Sequence, residues 1–378
     1  MSEYTQFVGL DVHAETIAVA IARPGRSPAE DAGTLGTETA QVRKWVMRHA
    51  DRGTWLVCYE AGPTGFELYR QLTQLGVACQ VVAPGLVPKR PTDRVKTDRR
   101  DARHLAAALR AGTLTPVRVP TAAEEAFRDL VRARTMAVQT RQRARQRVKS
   151  ALLRWGIRPP EGLTAWNRAY HGWLHTVVPA PAPRDQVWGE LLSQLAEADI
   201  RVDRITRQLA AAWPQHPLAS LMQALQSLRG VHWLTAATIV AECGDLTQFA
   251  HPRAFMGWVG VVPREASSGP TRHQGGLTKT GNAHVRRVLV EAAHSYRFRP
   301  TLKGWVGRRL AQQGPWEPGL SAISWRAQQR LHTKLRALHG RRGQQKALAA
   351  VARELCGFIW EVAVWVRAQH GTQVPPVA

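Results

Sequence analysis

The first 111 residues alternate short apolar segments with segments of helical spacing, and this order constrains the fold more than any other feature. Residues 7–22 predict two strands joined by a turn, because apolar residues occur at every second position before and after it. Further strands are predicted at 55–59 and 78–83, and helices at 39–49, 66–75 and 98–111. Strands that alternate with helices indicate an α/β layer built on a mixed sheet.

Four acidic residues stand out by their positions in this layer. Asp11 ends the first predicted strand, and Glu60 ends the strand at 55–59. Asp98 and Asp101 are three residues apart, so they share one face of a predicted helix. Carboxylates at strand ends and on a neighbouring helix can converge on one point, where they repel each other unless cations neutralise them.

Hard oxygen ligands of this kind suit Mg²⁺, with Mn²⁺ as the alternative ion. Two such ions about 4 Å apart can align an attacking and a leaving oxygen at phosphorus. The alternative roles are structural: Asp98 as a helix cap, and Asp101 as a complement to the helix dipole. His13 and His104 are near the acids in the sequence, but neither is predicted to be a ligand.

The charge balance favours a polyanionic partner. Lys and Arg number 52 against 28 Asp and Glu, a net charge of +24, and each phosphate that binds a basic side chain releases counterions. A ribosome-associated or simply basic protein is the alternative. The four cysteines lack metal or redox spacing, which predicts buried free thiols in a reducing bacterial cytoplasm, with nucleoid association during activity. No apolar run reaches the roughly 20 residues that span a bilayer, so no membrane role is expected.

The basic residues predicted to contact nucleic acid lie in the loop at 84–97, on the next helix, on a long basic helix at 124–155 and around a Gly-rich loop. They are Lys89, Arg90, Arg94, Lys96, Arg99, Arg100, Arg141, Arg145, Lys279, Arg286 and Arg287. A second long helix, at 188–212, has heptad spacing. It predicts either a coiled-coil arm that pairs protomers or an internal helical hairpin.

Small residues and glycines dominate the region from 228 to 282. The turn at Gly230 and Val231, with the helix after it, predicts a helix-hairpin-helix that binds phosphate, or an ordinary αα-corner. The loop after it contains Ser267 and Ser268 and is suited to hold a phosphodiester. A serine hydroxyl there could attack phosphorus and conserve the bond energy as a phosphoserine.

Two blocks of motifs carry a family resemblance. The first contains GLDVH, YEAGPTG and VKTDRRDARHLA; the second contains LRGVHWLTAATIVAECGD, FMGWVGVVPREASSG and GGLTKTGNAHVRRVLVEAA. In this order they resemble the DEDD transposases of the insertion-sequence family IS110, including its IS1111 subgroup. The resemblance covers roughly residues 5–120 and 220–297.

The resemblance implies a RuvC-like N-terminal domain of RNase-H fold, with Asp11, Glu60, Asp98 and Asp101 as its metal-binding tetrad. It implies a C-terminal serine, Ser268 or Ser267, that attacks DNA and forms a 5′-phosphoserine intermediate. It also implies a structured non-coding bridge RNA that pairs with target and donor DNA. Dimers or tetramers would form, in which the serine domain of one protomer completes the RuvC-like site of another.

Four domains are predicted: RuvC-like at 1–120, a helical coiled-coil arm at 121–215, a mostly α transposase domain with the serine at 216–299, and a helical extension at 300–378. The Trp-rich segment at 300–340 is longer than the family resemblance predicts, and is interpreted as an RNA-binding element or a helical cap. The predicted function is that of a transposase. The alternatives are a metal-dependent Holliday-junction endonuclease that uses water and a non-catalytic nucleic-acid-binding protein.

Overall fold

A computed structural model describes residues 4–49, 53–88, 97–266, 271 and 273–370. The chain divides into two compact units, Met1–Val119 and Pro120–Ala378. The first boundary lies one residue from the predicted end of the RuvC-like domain. The predicted DNA contacts Lys89, Arg90, Arg94 and Lys96, and both candidate serines, Ser267 and Ser268, lie outside the described residues. Within the described ranges, no helix is long and apolar enough to cross a membrane.

The first unit contains a five-stranded sheet of order β3-β2-β1-β4-β5. Its strands are β1 (Gln6–Val12), β2 (Thr16–Ala22), β3 (Glu30–Gly36), β4 (Trp55–Glu60) and β5 (Ala78–Val82). The pairs β1–β2 and β2–β3 are antiparallel, whereas β1–β4 and β4–β5 are parallel. The predicted mixed α/β sheet is therefore confirmed. Strand β3 was not predicted, because its sequence EDAGTLG is mostly exposed and has no alternation of apolar residues.

Helices cover both faces of this sheet. They are α1 (Thr39–His49), α2 (Glu67–Gln74) and α3 (Asp98–Arg110). Val8 and Tyr59 pack with α1 and α2 on one face. Phe7 and Cys58 pack with α3 on the other, since successive residues of a strand point to opposite faces.

The second unit begins with a helical hairpin of α4 (Ala122–Arg154) and α6 (Arg184–Ala212), with α5 (Arg168–Thr176) near its far end. A capping box starts α4, in which the Thr121 hydroxyl accepts from the Glu124 N–H while Glu124 accepts from the Thr121 N–H. Buried heptad residues of α6 include Trp188, Leu195 and Val202, which pack within the same chain. Internal packing thus accounts for the heptad pattern, and pairing of protomers through it stays a prediction.

The rest of the second unit is a helical core with one short antiparallel strand pair. Its elements are α7 (Ala219–Leu225), α8 (Trp233–Cys243), α9 (Pro252–Val259), β6 (Pro263–Glu265), β7 (Gln274–Leu277), α10 (Ala283–Ala293), α11 (Gly304–Ala311), α12 (Glu317–Arg342) and α13 (Gln344–His370). One hydrophobic cluster runs from Phe127 on α4 to Val366 on α13. The segments predicted as the third and fourth domains therefore share a core.

The turn between α7 and α8 is packed against later parts of the chain. Gly230 has a φ of 83°, and a Cβ there would lie 2.4 Å from the Ala292 carbonyl oxygen. Val231 is buried, and its carbonyl accepts a hydrogen bond from Arg309 at 2.9 Å. The helix-hairpin-helix interpretation of this turn stays a prediction.

The tryptophans of the 300–340 segment have different environments. The Trp316 ring packs edge-on against the Trp365 ring, 6.0 Å between centroids. Trp305 and Trp325 are 42% and 37% exposed, and the Arg309 guanidinium lies 4.9 Å from the centre of the Trp305 ring. One of these tryptophans thus stabilises the core, and the RNA-binding interpretation of the segment stays a prediction. All four cysteines are free thiols, as predicted, but Cys79 is only partly buried, contrary to the prediction that all four are buried.

Candidate metal centre

The register of the sheet places Asp11 beside Glu60. Strands β1 and β4 are parallel, and Leu10 pairs with Tyr59, so the next residues, Asp11 and Glu60, lie at the same level on neighbouring strands. Side chains alternate along a strand, so both acids belong to the face that α3 covers, together with Cys58. The pKa of the Cys58 thiol is raised by burial first, then by Cys79 and by the nearby charge of Glu60.

A close approach of α3 to β1 brings the other two acids to this point. A Cβ at Gly9 would lie 2.3 Å from the Ala102 carbonyl oxygen and 2.4 Å from the Ala106 nitrogen. Only glycine permits this contact between the helix backbone and the strand. The first turn of α3, with Asp98 and Asp101, therefore lies at the end of β1 where Asp11 stands.

Thr97, rather than Asp98, caps α3. The Thr97 hydroxyl accepts a hydrogen bond from the Arg100 N–H at 3.4 Å, and Thr97 has the extended backbone of a cap residue. The alternative role of Asp98 as a helix cap is therefore wrong. The Asp98 carboxylate instead lies 3.4 Å from the Nε2 atom of His13, which follows the end of β1.

Asp11, His13 and Asp98 form a compact group of metal-ligating side chains. The His13 Nε2 atom lies 3.3 Å from Asp11 Oδ2 and 3.4 Å from Asp98 Oδ1. One ligand atom from each residue lies within 4.8 Å of the other two. His13 follows the end of β1 and was not predicted to be a ligand, since a single histidine has no spacing that identifies one. His104 is not part of this group, and its Nε2 hydrogen-bonds with the Pro88 carbonyl.

Asp11 is the electrostatic centre of the group. Burial raises the pKa of the Asp11 carboxyl above its ordinary value; the charges of Asp101 and Asp98 raise it further, and His13 opposes them. Asp101 is thus within electrostatic reach of Asp11, although the compact group includes neither Asp101 nor Glu60. The half-buried carboxylate of Asp11 and the exposed carboxylate of Asp98 offer oxygen ligands that fit a hard divalent cation, because the cation would cancel the repulsion among the acids.

Of the described basic residues that are predicted to contact nucleic acid, five make the following side-chain contacts within their own units. Arg99 pairs with Asp31 at 3.3 Å. In the second unit, Arg141 and Arg145 share Asp199, 3.6 Å from each. The Arg286 guanidinium donates to the Val259 carbonyl at 2.7 Å, and Arg287 pairs with Glu291 at 2.9 Å. For Lys279 and Arg100 the contacts are made by the backbone N–H groups, to the Gly260 carbonyl at 3.1 Å and to Thr97. Their predicted contacts with nucleic acid stay predictions.

A buried carboxylate in the second unit was not found by sequence analysis. Glu242 on α8 accepts two hydrogen bonds of 2.8 Å from Arg132 on α4, and one of 2.7 Å from the Asn282 amide. Asn282 in turn caps α10 by accepting from the Val285 N–H. A glutamate within the apolar segment TIVAEC was the available signal. The cluster joins α4, α8 and the loop before α10.

Electrostatics keep this glutamate ionised. Burial is the largest influence and raises the pKa of the Glu242 carboxyl, but the hydrogen bonds from Arg132 and Asn282, with the Arg132 charge, outweigh it and leave the pKa lowered. The Glu242 side chain is only 1% exposed. Such a carboxylate depends on its partners, since an unpaired buried charge is strongly unfavourable.

The loop before α10 is seated against the end of α9. Lys279 has a φ of 55°, and a Cβ at Gly281 would lie 1.6 Å from the Trp258 carbonyl oxygen. The Thr278 N–H donates to the Val262 carbonyl at 2.9 Å. The Gly-rich loop singled out from the sequence thus has a defined backbone over residues 278–281.

Comparisons with known proteins agree with both motif blocks. A family profile described as a transposase of the DEDD type of IS110 matches residues 8–156, and one described as "Transposase IS116/IS110/IS902 family" matches residues 222–304. The y4qE protein of Sinorhizobium fredii, whose name also describes a transposase, is 40% identical over 360 residues, covering 94% of this chain and 88% of its own.

Two further relatives are transposases by name. The transposase for insertion sequence element IS1533 of Leptospira borgpetersenii is 28% identical over 89% of this chain and 97% of its own length. The transposase for IS1111A of Coxiella burnetii is 25% identical over 86% of this chain and 82% of its own. The similarity therefore extends over nearly the whole chain and includes the region between the two motif blocks.

Proposed function

The chain belongs to the IS110 family of insertion-sequence transposases, and we propose that its four N-terminal carboxylates form the metal-dependent centre at which DNA is cut and rejoined. The single observation that carries this proposal is the convergence of Asp11 with the first turn of α3. The compact group of Asp11, His13 and Asp98 contains two of the four acids, and Asp101 acts on Asp11 electrostatically. The mixed α/β sheet with these acids at one edge is consistent with an RNase-H-like transposase.

Asp11, Asp98, Asp101 and Glu60 would hold the divalent cations, Mg²⁺ or Mn²⁺. Bound there, the cations would neutralise charge on the scissile phosphate and lower the barrier to in-line displacement. The protein's own part is positioning: the β1–β4 register fixes Asp11 beside Glu60, and the Gly9 contact fixes α3. His13 lies between two of the carboxylates, with its Nε2 atom 3.3 Å from Asp11 and 3.4 Å from Asp98.

The proposed nucleophile is the hydroxyl of Ser268, with Ser267 as the rival. Its oxygen would form a bond to phosphorus as the bond from phosphorus to the 3′-oxygen breaks. The serine proton would leave to a base, the departing 3′-oxygen would gain a proton, and a 5′-phosphoserine would remain. Attack of a 3′-hydroxyl on that phosphoserine would reverse the chemistry and rejoin the strands.

Guidance by a structured non-coding bridge RNA, and assembly as dimers or tetramers, are also proposed. Their support is the family membership together with the excess of basic residues, which gives a net charge of +24. Base pairing by an RNA would supply sequence recognition, so the protein would need many phosphate contacts and few base contacts.

A strand-transfer assay with donor and target DNA, co-purified RNA and Mg²⁺ tests the proposal. Asp11→Asn should reduce cleavage by at least about 100-fold, because it removes several kcal/mol of charge stabilisation. Glu15→Gln, an exposed acid-to-amide change in the neighbouring turn, is the matched control and should leave cleavage unchanged. Full cleavage by Asp11→Asn would contradict the proposed centre.

A double variant, Ser267→Ala with Ser268→Ala, tests the nucleophile separately. We expect it to abolish a covalent protein–DNA adduct that survives denaturing electrophoresis. Cleavage that continues without any adduct would instead identify a metal-dependent endonuclease that uses water. Transposition unaffected by Asp11→Asn would identify a non-catalytic binding protein.

A further inference from the structure

The arginines of α4 point in two directions within the helical hairpin. Arg141 and Arg145 point toward Asp199 on α6 and share its carboxylate. Arg143, Arg147 and Arg154 are exposed and are spaced by four and seven residues, so they lie along a different stripe of the same helix. One stripe thus pairs with an acid of α6, and the side chains of the other are exposed.

The solvent-facing stripe lines a groove between α4 and α6. Two adjoining cavities of about 560 Å³ each form this groove, and both are lined by Arg143 and Arg147. Arg201 and Arg204 of α6 line one end, and Arg154 lines the other. We call this feature the arginine groove. The groove is thus continuous along the hairpin.

The arginine groove is long enough for several nucleotides. Its α4 lining runs from Thr140 to Arg154, and 154 − 140 = 14 residues at about 1.5 Å each give about 21 Å. The phosphates of one strand of a duplex advance about 3.4 Å each along the axis, so this length corresponds to about six of them. A single phosphate or small anion would occupy only a fraction of it.

The charge of the arginine groove is not balanced by the protein. Its lining has five arginines and one acid, Glu197. Among the residues described, none of these five guanidinium groups forms an ion pair; Arg147 donates to the Gln194 amide oxygen at 3.2 Å. Like charges held along one groove repel each other, and a polyanion would relieve that repulsion while releasing its counterions.

We propose that the arginine groove binds the sugar–phosphate backbone of a nucleic-acid duplex. Arginine contacts phosphate through a planar fork of donors and carries no information about sequence. The lining contains no aromatic side chain, whereas grooves for single strands stack bases on aromatic rings. This contact is independent of the carboxylates of the first unit and of the chemistry proposed for them. The shared ligand chemistry is the phosphodiester backbone, and the source of that backbone is either DNA or RNA.

Binding of the full chain to labelled 20-base-pair duplexes of random sequence, in EDTA and over a series of salt concentrations, tests the proposal. The variant R143Q/R147Q/R201Q should weaken binding at least tenfold in low salt. The slope of log Kd against log salt should fall by about 2.7, since each lost phosphate contact on B-DNA contributes about 0.9. DNA and RNA duplexes are measured in parallel, and the duplex with the larger loss identifies the source of the backbone.

Two variants make the test specific. R336Q/R341Q/R342Q removes the same charge from exposed positions of α12 and should leave the affinity within about twofold of wild type. R143K/R147K/R201K keeps the groove charge and should keep the wild-type salt slope. Equal losses in the two glutamine triples would overturn the proposal, as would unchanged binding of both duplexes by the groove variant. A lysine variant as weak as the glutamine variant would also overturn it.

A single strand is the remaining comparison. A duplex site predicts that the wild type binds a single-stranded 20-mer more weakly than the duplex. It also predicts that R143Q/R147Q/R201Q binds the single strand as well as the wild type does. A loss confined to the single strand would overturn it. Both duplexes are bound in EDTA, without the cations that the proposed metal centre would hold, so failure of the metal-centre proposal leaves this measurement unaffected.

Discussion

The backbone of α3 lies so close to β1 that a Cβ at Gly9 would be 2.3 Å from the Ala102 carbonyl oxygen. This contact sets the position of the first turn of α3, and hence of Asp98 relative to Asp11. The carboxylate arrangement therefore requires glycine at position 9. A substitution there can disturb the arrangement while all four acids stay in place.

Gly9→Ala should displace α3 from the sheet. We expect a loss of about 1–3 kcal/mol in the free energy of unfolding, typical of an overpacked core, together with weaker Mg²⁺-dependent cleavage. Urea unfolding and the strand-transfer assay would measure the two effects. Gly85→Ala, at a glycine with open space around its Cα, should change neither; equal effects of the two substitutions would show that the Gly9 contact has no special role.

Divalent cations should stabilise the first unit through Asp11. Because the pKa of Asp11 is raised in the fold, its stabilising contribution exists at low pH and is lost as pH rises through the folded pKa, so at neutral pH the ionised group is destabilising. Mg²⁺ or Mn²⁺ should therefore raise the melting temperature of the wild type. Asp11→Asn should melt no lower than the wild type without metal, and should lose most of the metal response. A full metal response in this variant would contradict a site at Asp11.

Arg132→Ala should destabilise the second unit by about 3 kcal/mol, because it leaves the Glu242 carboxylate buried with one of its ionic partners removed. The Arg132 side chain is 41% exposed, so the lower end of the range for buried pairs applies. Arg287→Ala breaks an exposed pair with Glu291 and should cost less than about 1 kcal/mol. Denaturant unfolding measures both, and equal losses would refute the special role of the buried pair.

Acid should weaken the same cluster. The pKa of Glu242 is lowered below its ordinary value of 4.5, so its contribution is present above that value and is lost as pH falls through the folded pKa. The free energy of unfolding should therefore fall below about pH 4.5, and less steeply in Glu242→Gln. Burial raises the pKa of Glu354, but bonds from Arg330 and Lys334 outweigh it and leave the pKa lowered, so Glu354 contributes to the slope that remains in Glu242→Gln. An unchanged pH profile in Glu242→Gln would contradict the assignment.

Leu195→Ala tests the internal packing of the heptads. Leu195 is 3% exposed in the single chain, and its truncation should cost about 2–5 kcal/mol. The loss should be the same at low and high protein concentration, since the contact is made within one chain. Ile200→Ala, at a residue 63% exposed, is the matched control and should cost little. A loss that grows on dilution would instead indicate that the heptads pair protomers.

Local patterns sufficed for most of the first unit and for the placement of its acids. The bounds of α1 were predicted to the residue, and the position of Asp11 beside Glu60 follows from parallel strands that end together. Strand β3 escaped prediction because its pairing with β2 depends on backbone hydrogen bonds and not on apolar side chains.

Contacts between distant residues could not be predicted from one sequence. The ion pairs that Arg141 and Arg145 form with Asp199, more than 50 residues away, were not predicted. Arg132 and Glu242 are 110 residues apart. His13 was set aside because a single histidine has no spacing that identifies a ligand, and only the fold brings it to Asp98.

The 33-residue helix α4 runs without a break from the core of the second unit to the tip of the hairpin. Arg132 on this helix donates hydrogen bonds to Glu242, and Arg143 lines the arginine groove three turns further along. An uninterrupted helix is stiff, so a force on its C-terminal part is transmitted to its N-terminal part. Binding of a partner at the arginine groove would thereby act on the Glu242–Asn282 cluster. The Gly-rich loop would then be coupled to a surface that is distant from it.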